Sequence, residues 1–198
     1  MPSRRLLLVL PAYPIWFVVF RTEFLNFWAR MIFAVSLLTL IALVGKPELL
    51  RFPRIRMSNI LIGLVSGFLL YFLLYLGYAI FKPFVAESAG EVYALRREAP
   101  QGLIALFLIF TSFGEEIYWR GFIQHELQGM LGSVRGLLAA SAAYSTVHVW
   151  TMNVPLMVIA FLMGLCWGAT YLKTRSLQSI IISHTVWTEL VFVFLPLL

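Results

Sequence analysis

Seven apolar runs recur along this chain of 198 residues, at about 6–20, 24–44, 58–81, 102–126, 136–152, 154–172 and 177–197. Most are long enough to cross the roughly 30 Å hydrocarbon core of a bilayer as a helix. Lipid offers the backbone no hydrogen-bond partners, so such runs must satisfy their N–H and C=O groups internally, as helices. The reading is an all-α, polytopic transmembrane helix bundle with about seven spans. Composition sharpens it: 61% of the residues are hydrophobic and 12% charged, against about 25% charged in an ordinary soluble domain. The first run follows Arg4 and Arg5 and resembles a signal peptide, but no small-residue cleavage site comes after it, so it reads as a span.

The residues that are missing narrow the chemistry. A single cysteine, Cys166, excludes a disulfide framework or a cysteine-rich metal site, and the absence of aspartate excludes a paired-aspartate intramembrane protease. Acid chemistry in this chain is left to glutamate.

Basic residues border the spans. With a cytoplasmic amino terminus, the inside segments carry Arg4, Arg5, Lys46, Arg51, Arg54, Arg56, Arg135, Lys173 and Arg175, and the outside segments Arg21, Arg30, Lys82, Arg96 and Arg97. That asymmetry favours this orientation, and the protein is expected in the cell membrane. The net charge of +6 is then a topology signal and an attraction to anionic headgroups, and no nucleic-acid partner is expected. The polar stretch Lys82–Gln101 reads either as a solvated loop or as a short helix on the outer membrane surface. No soluble domain or repeat is visible, so residues 1–198 form one unit.

Glu115, Glu116 and Arg120 lie inside the fourth run, where charge is costly unless it is paired or faces a wet cavity. Glu116 and Arg120 are four residues apart with the acid first, the favourable order for an ion pair on one helix face. Glu115 points about 100° away around the helix and is left for chemistry as a general base. Two histidines also sit in spans, His148 in Tyr144-Ser-Thr-Val-His148 and His184 in Ser183-His184-Thr-Val-Trp187-Thr188-Glu189. Glu115 and His148 stand symmetrically about the Gly129–Gly132 turn, so an antiparallel hairpin brings them to one level, where they can share a water. Thr188 is one turn beyond His184 on the same face. His125, near a helix end, faces headgroups and water.

Other patterns carry no chemistry. His125-Glu126 begins like a metalloprotease H-E-x-x-H motif, but Gly129 occupies the second ligand position. Gly164-Leu-Cys166-Trp-Gly168 imitates a nucleophile elbow inside an apolar helix, and there, as at Gly63 and Gly67, glycines serve close helix packing.

The segment Glu115-Glu116-Ile-Tyr-Trp-Arg120-Gly-Phe122, followed by His148 and His184, resembles the CAAX prenyl protease and bacteriocin-processing family of intramembrane proteases. The resemblance covers residues 102–195, the expected catalytic half; residues 1–100 match only as generic membrane spans. It implies that Glu115 with His148 activates a water, that His184 and its neighbour form an oxyanion site, and that Glu116 and Arg120 hold the helix geometry. Two positions depart from the family pattern: Tyr144 stands where phenylalanine is usual, and Thr188 where asparagine or aspartate is usual.

The function expected is hydrolysis of a peptide bond in a peptide or membrane-protein substrate, without a cofactor, in a cavity open to the cytoplasm. Two alternatives stay open. One is a zinc peptidase with Glu115, His148 and His184 as ligands, and the other a catalytically silent membrane binding or immunity protein. Substrate identity and oligomeric state are not written in the pattern.

Overall fold

The computed structural model describes residue 7 and residues 9–51 and 54–198. Arg4 and Arg5, used above for orientation, lie outside the described residues. Among the described residues all regular structure is helical, in seven stretches that follow the seven apolar runs. They are α1 (Ala12–Arg21), α2 (Phe27–Gly45), α3 (Met57–Ala94), α4 (Gln101–Leu131), α5 (Ser133–Thr146), α6 (Val154–Thr174) and α7 (Leu177–Phe194). Five of them, α2, α3, α4, α6 and α7, are long and apolar enough to cross a membrane. This is a multi-pass membrane protein.

The helix starts follow local chemistry. Asn26, Asn153 and Ser176 each turn a side-chain oxygen onto an N–H of the first turn, of Ala29, Leu156 and Ser179 respectively. Gly132, at φ +82°, makes the reversal between α4 and α5, a backbone conformation that a side chain would strain. The hairpin expected about Gly129–Gly132 is thus closed at Gly132.

α7 is the central helix, packed between α3, α4 and α6. Gly63 and Gly67 let α3 lie directly on it. A Cβ at Gly63 would come within 2.6 Å of Ile182 Cβ, and one at Gly67 within 2.8 Å of Val186 Cβ. Gly164 likewise sits against Ser141 of α5, so the helix-packing reading of both glycine pairs agrees with the contacts. Lipid-facing positions of α3, among them Val65, Phe68, Phe72 and Ile80, are exposed and apolar, as a membrane surface requires.

The stretch Lys82–Gln101 differs from both sequence expectations. α3 runs unbroken through Pro83 for 38 residues, and a 3-10 turn, Leu95–Glu98, ends it. Tyr71 donates to the Leu195 carbonyl and Tyr93 to the Val191 carbonyl, and the Tyr93 hydroxyl also accepts from Leu197 N–H. A straight helix would hold Tyr71 and Tyr93 roughly 33 Å apart, too far for two side chains to reach neighbouring points on one chain. The helix must therefore bend, and Pro83, which lacks an N–H and crowds the preceding turn, is where it can do so. Beyond the bend the polar part docks on the bundle end. Asn153 donates to the Ser88 carbonyl and the Glu91 carboxylate, Trp28 Nε1 to the Leu95 carbonyl, and Phe27 N–H to Glu98. Those tertiary bonds, invisible in the local sequence, replace the expected solvation.

Candidate active site

Glu115 and Glu116 end the regular α-helical part of α4, and a π-helical stretch, Ile117–Gln124, follows. Bonds to the fifth preceding carbonyl fit an additional residue into each turn. All eight residues of this stretch are buried. Gly121 lies against Leu49 and Leu177, while Gln124 donates to the Gly168 carbonyl at 2.9 Å. The wide turn thus sits in the bundle centre, wedged between α6, α7 and the end of α2.

The Glu116–Arg120 pair forms as its spacing predicts, with Arg120 Nη1 donating to Glu116 Oε1 at 3.0 Å. Both side chains are essentially excluded from solvent, and a buried charge needs such a partner. The same oxygen is 2.7 Å from His184 Nδ1. One carboxylate thus serves an arginine and an imidazole from another helix. The His184 ring is also stacked on Trp167, with centroids 4.0 Å apart and planes 24° from parallel. Hydrogen bond and stack together fix the ring, leaving Nε2 as the nitrogen not committed to Glu116.

Glu115 is buried but makes no ion pair among the described residues. Its Oε2 accepts from the Tyr144 hydroxyl at 3.1 Å. Glu115 and His148 were expected at one level, able to share a water, and the residue in direct contact with Glu115 is Tyr144, four residues before His148. Two local features shift the register: the π turns of α4, and a 3-10 turn, Val147–Thr151, that replaces the α-helix around His148. His148 is half-buried and not deep in an α-helix. Its Nδ1 is 2.8 Å from the Tyr144 carbonyl. A carbonyl only accepts, so Nδ1 carries the hydrogen and Nε2 of the neutral ring is the free acceptor.

Tyr144 is therefore the hinge of the cluster. It bonds Glu115, packs edge-on against His148 at 5.4 Å, and receives the Arg120 guanidinium over its ring at 4.6 Å. Arg120 also lies 5.4 Å from the Trp167 ring centroid. The charged groups form one continuous network, with Glu115 at one end and His184 at the other.

Sequence reasoning missed Tyr144 as a partner of Glu115, although its position one turn before His148 placed both on one helix face. It also missed α1. Trp16 and Phe20 flank the His148 ring at 6.3 and 6.1 Å, and Trp150 Nε1 donates to the Tyr13 carbonyl. Phe20 separates His148 from an open cavity of about 550 Å³ that Arg21, Asn26, Arg30 and Glu98 also line. That cavity opens at the end opposite Lys46 and Arg175.

Thr188 is less available than expected. Its hydroxyl donates back to its own helix, 2.9 Å from the His184 carbonyl and 3.1 Å from that of Thr185, and lies 3.3 Å from Ser112 Oγ. Glu189 lies two turns beyond Ile182 and so on the α3 side of α7, and neither of its buried oxygens has a hydrogen-bond partner among the described residues. His125 is exposed, as expected at a helix end.

The zinc alternative required Glu115, His148 and His184 to converge. Among the described residues no three His, Cys, Asp or Glu side chains are grouped to hold a metal ion. His184 is turned to Glu116 and His148 lies behind Tyr144. This arrangement does not fit a zinc ion.

Residues 98–189 match the family model of type II CAAX prenyl endopeptidases, Rce1-like. This segment is similar to an Rce1-like domain. It contains every residue of the network, from Glu115 to His184, together with Thr188, and it leaves α1 and α2 outside. The matched family is one of endopeptidases, and the bundle around the segment has helices long and apolar enough to cross a membrane. No curated protein and no solved structure matches the chain. The matched segment begins in the turn before α4 and ends on α7 at Glu189, close to the limits expected from the resemblance.

Proposed function

We propose that the chain hydrolyses a peptide bond within the membrane, Glu115 taking the proton of a water as that water attacks the substrate carbonyl. The observation that carries this reading is the division of labour between the two glutamates. Glu116 is committed twice, to Arg120 and to His184, while Glu115 meets only the neutral hydroxyl of Tyr144. A base must have a lone pair to give. His148 Nε2, one turn from Tyr144, orients the water.

The proton then passes from Glu115 to the departing amine as the tetrahedral intermediate collapses. His184, locked by Glu116 and Trp167, supplies the positive environment for the developing oxyanion, a contribution of about 3 kcal/mol for one good donor. Thr188 adds to this only if its hydroxyl rotates away from the His184 carbonyl. Substrates are peptides or membrane proteins presented from the bilayer, and the basic end of the bundle faces the cytoplasm of a cell membrane.

The test compares the membrane proteomes of cells carrying the natural protein and Glu115→Gln. The substitution keeps the shape and removes the base, so a fragment made by the natural protein disappears while the protein stays folded and membrane-bound. Treating the membranes with a strong chelator leaves that fragment in place. Full fragment yield from Glu115→Gln would overturn the assignment. A binding or immunity role is the second reading, favoured by the committed hydroxyl of Thr188; it predicts an unchanged phenotype in the Glu115 variant.

A further inference from the structure

The polar groups at the opposite end of the molecule from Phe20 are arranged for a different purpose. The turn from α2 to α3 and the turn from α6 to α7 enclose an open cavity of about 270 Å³. Arg51, Arg54, Arg56 and Arg175 line it, and Glu48 is the acidic residue in the lining. Four guanidinium charges less one carboxylate leave a surplus of three.

These arginines are not there to neutralise the protein's own acids. Arg51, Arg54 and Arg56 have no ion pair or side-chain hydrogen bond with a described residue, and the Arg175 side chain donates to the neutral amide of Gln128 at 3.2 Å. A topology signal alone needs basic residues at this end, and Arg135 and Lys173 meet that need without lining the cavity. Convergence of four arginines on one concavity goes beyond it. The floor is the first turn of α7, Leu177 and Gln178, where the helix dipole adds a favourable field for an anion.

The level of the cavity narrows the choice of anion. It lies where α2 and α6 end and α3 and α7 begin, which is the headgroup level of a bilayer that these helices cross. A guanidinium presents a planar fork matched to two oxygens of a phosphate, and basic clefts between helices at this level suit anionic headgroups. We propose that this cavity holds the phosphate of an anionic membrane lipid, gripped by Arg51, Arg54, Arg56 and Arg175. The bound phosphate ties the α2–α3 turn to the start of α7, two helical turns before His184.

The purified full chain in neutral detergent is titrated with short-chain phosphatidylglycerol, with short-chain phosphatidylcholine and with inorganic phosphate, and bound adducts are counted by native mass spectrometry. Phosphatidylcholine carries the same phosphodiester with a choline cation beside it, so it is the matched control. Phosphatidylglycerol binds at least tenfold more tightly than phosphatidylcholine, and millimolar inorganic phosphate does not displace it. The combined Arg51→Gln, Arg54→Gln, Arg56→Gln variant loses that preference, while Arg96→Gln with Arg97→Gln, at the other end, keeps it.

An unchanged preference in the triple variant overturns the proposal. Displacement by free phosphate overturns the lipid as its source. Should the glutamine variant fail to fold, the corresponding triple lysine variant keeps the charge and loses the fork, so its affinity falls severalfold; unaltered affinity there also overturns the grip. None of these measurements uses Glu115, so the outcome is independent of the hydrolytic reading.

Discussion

Arg120 holds a full charge in the least hospitable part of the molecule, and its surroundings are best understood as the means of keeping it there. Glu116 supplies the countercharge, and the rings of Tyr144 and Trp167 supply polarisable walls. Removing one partner from a buried pair leaves the other uncompensated, at a cost of about 3–5 kcal/mol. Glu116→Gln is therefore strongly destabilising, and adding Arg120→Met restores much of the loss. Unfolding midpoints of the purified variants in detergent check this order; a double variant less stable than Glu116→Gln alone would contradict it. Tyr144→Phe is a gentler change. It removes the one hydrogen bond of Glu115, worth about 1.5–3 kcal/mol for a charged acceptor. Fragment release slows by about tenfold or more, and the unfolding midpoint falls by less than it does for Glu116→Gln. The Glu116–Arg120 contact was legible in the sequence because i,i+4 spacing settles it. The bond from His184 to Glu116 was not, because it joins residues 68 apart in sequence and depends on how α4 and α7 are rotated. Tyr144 was noticed only as a departure from a pattern, and its role emerged once the π and 3-10 turns had moved the register.

The helices themselves were legible to a different degree. Apolar runs located all seven, and five of them, α2, α3, α4, α6 and α7, have the length that a bilayer imposes on a span. Run length says nothing of what continues past the lipid, and so the extension of α3 beyond Pro83 was hidden. Its polar residues, Ser88, Glu91, Tyr93 and Glu98, look solvated in sequence and are bonded to α2, α6 and α7 in the fold. The glycines of α3 separate the two regimes. Gly67→Leu forces side-chain atoms into Val186 and the Ser183 carbonyl, contacts already within 2.9 Å for a bare Cβ, and small residues at such interfaces are what let helices approach. The substitution costs roughly 1–3 kcal/mol or more and lowers the unfolding midpoint. Gly90→Ala meets nothing within 4 Å and removes a flexible residue from a helix, a gain of about 0.5–1 kcal/mol. Equal effects from the two would show that α3 does not pack on α7 as described.

On the scale of the whole molecule the two ends differ in charge and in what they enclose. Lys46, Arg51, Arg54, Arg56, Arg135, Lys173 and Arg175 collect at the end where α4 turns into α5, while the bent part of α3 and the cavity beside Phe20 occupy the other. The positive-inside bias predicts that the first of these faces the cytoplasm, and the membrane-length helices then set which segments share a side. The expected outcome can be read with one cysteine at a time in a Cys166→Ala background. Cysteines replacing Arg135 or Lys173 are shielded from a membrane-impermeant maleimide in intact cells and react after permeabilisation, whereas one replacing Glu87 reacts directly. Should Glu87 and Lys173 label from the same side, the bend of α3 would have to be redrawn. Should both patterns simply invert, the fold would stand and the basic end would face outward. The outcome also bears on chemistry, because it decides whether the cavity beside Phe20, the open space nearest His148 in ring contacts, admits water from the cytoplasm or from outside.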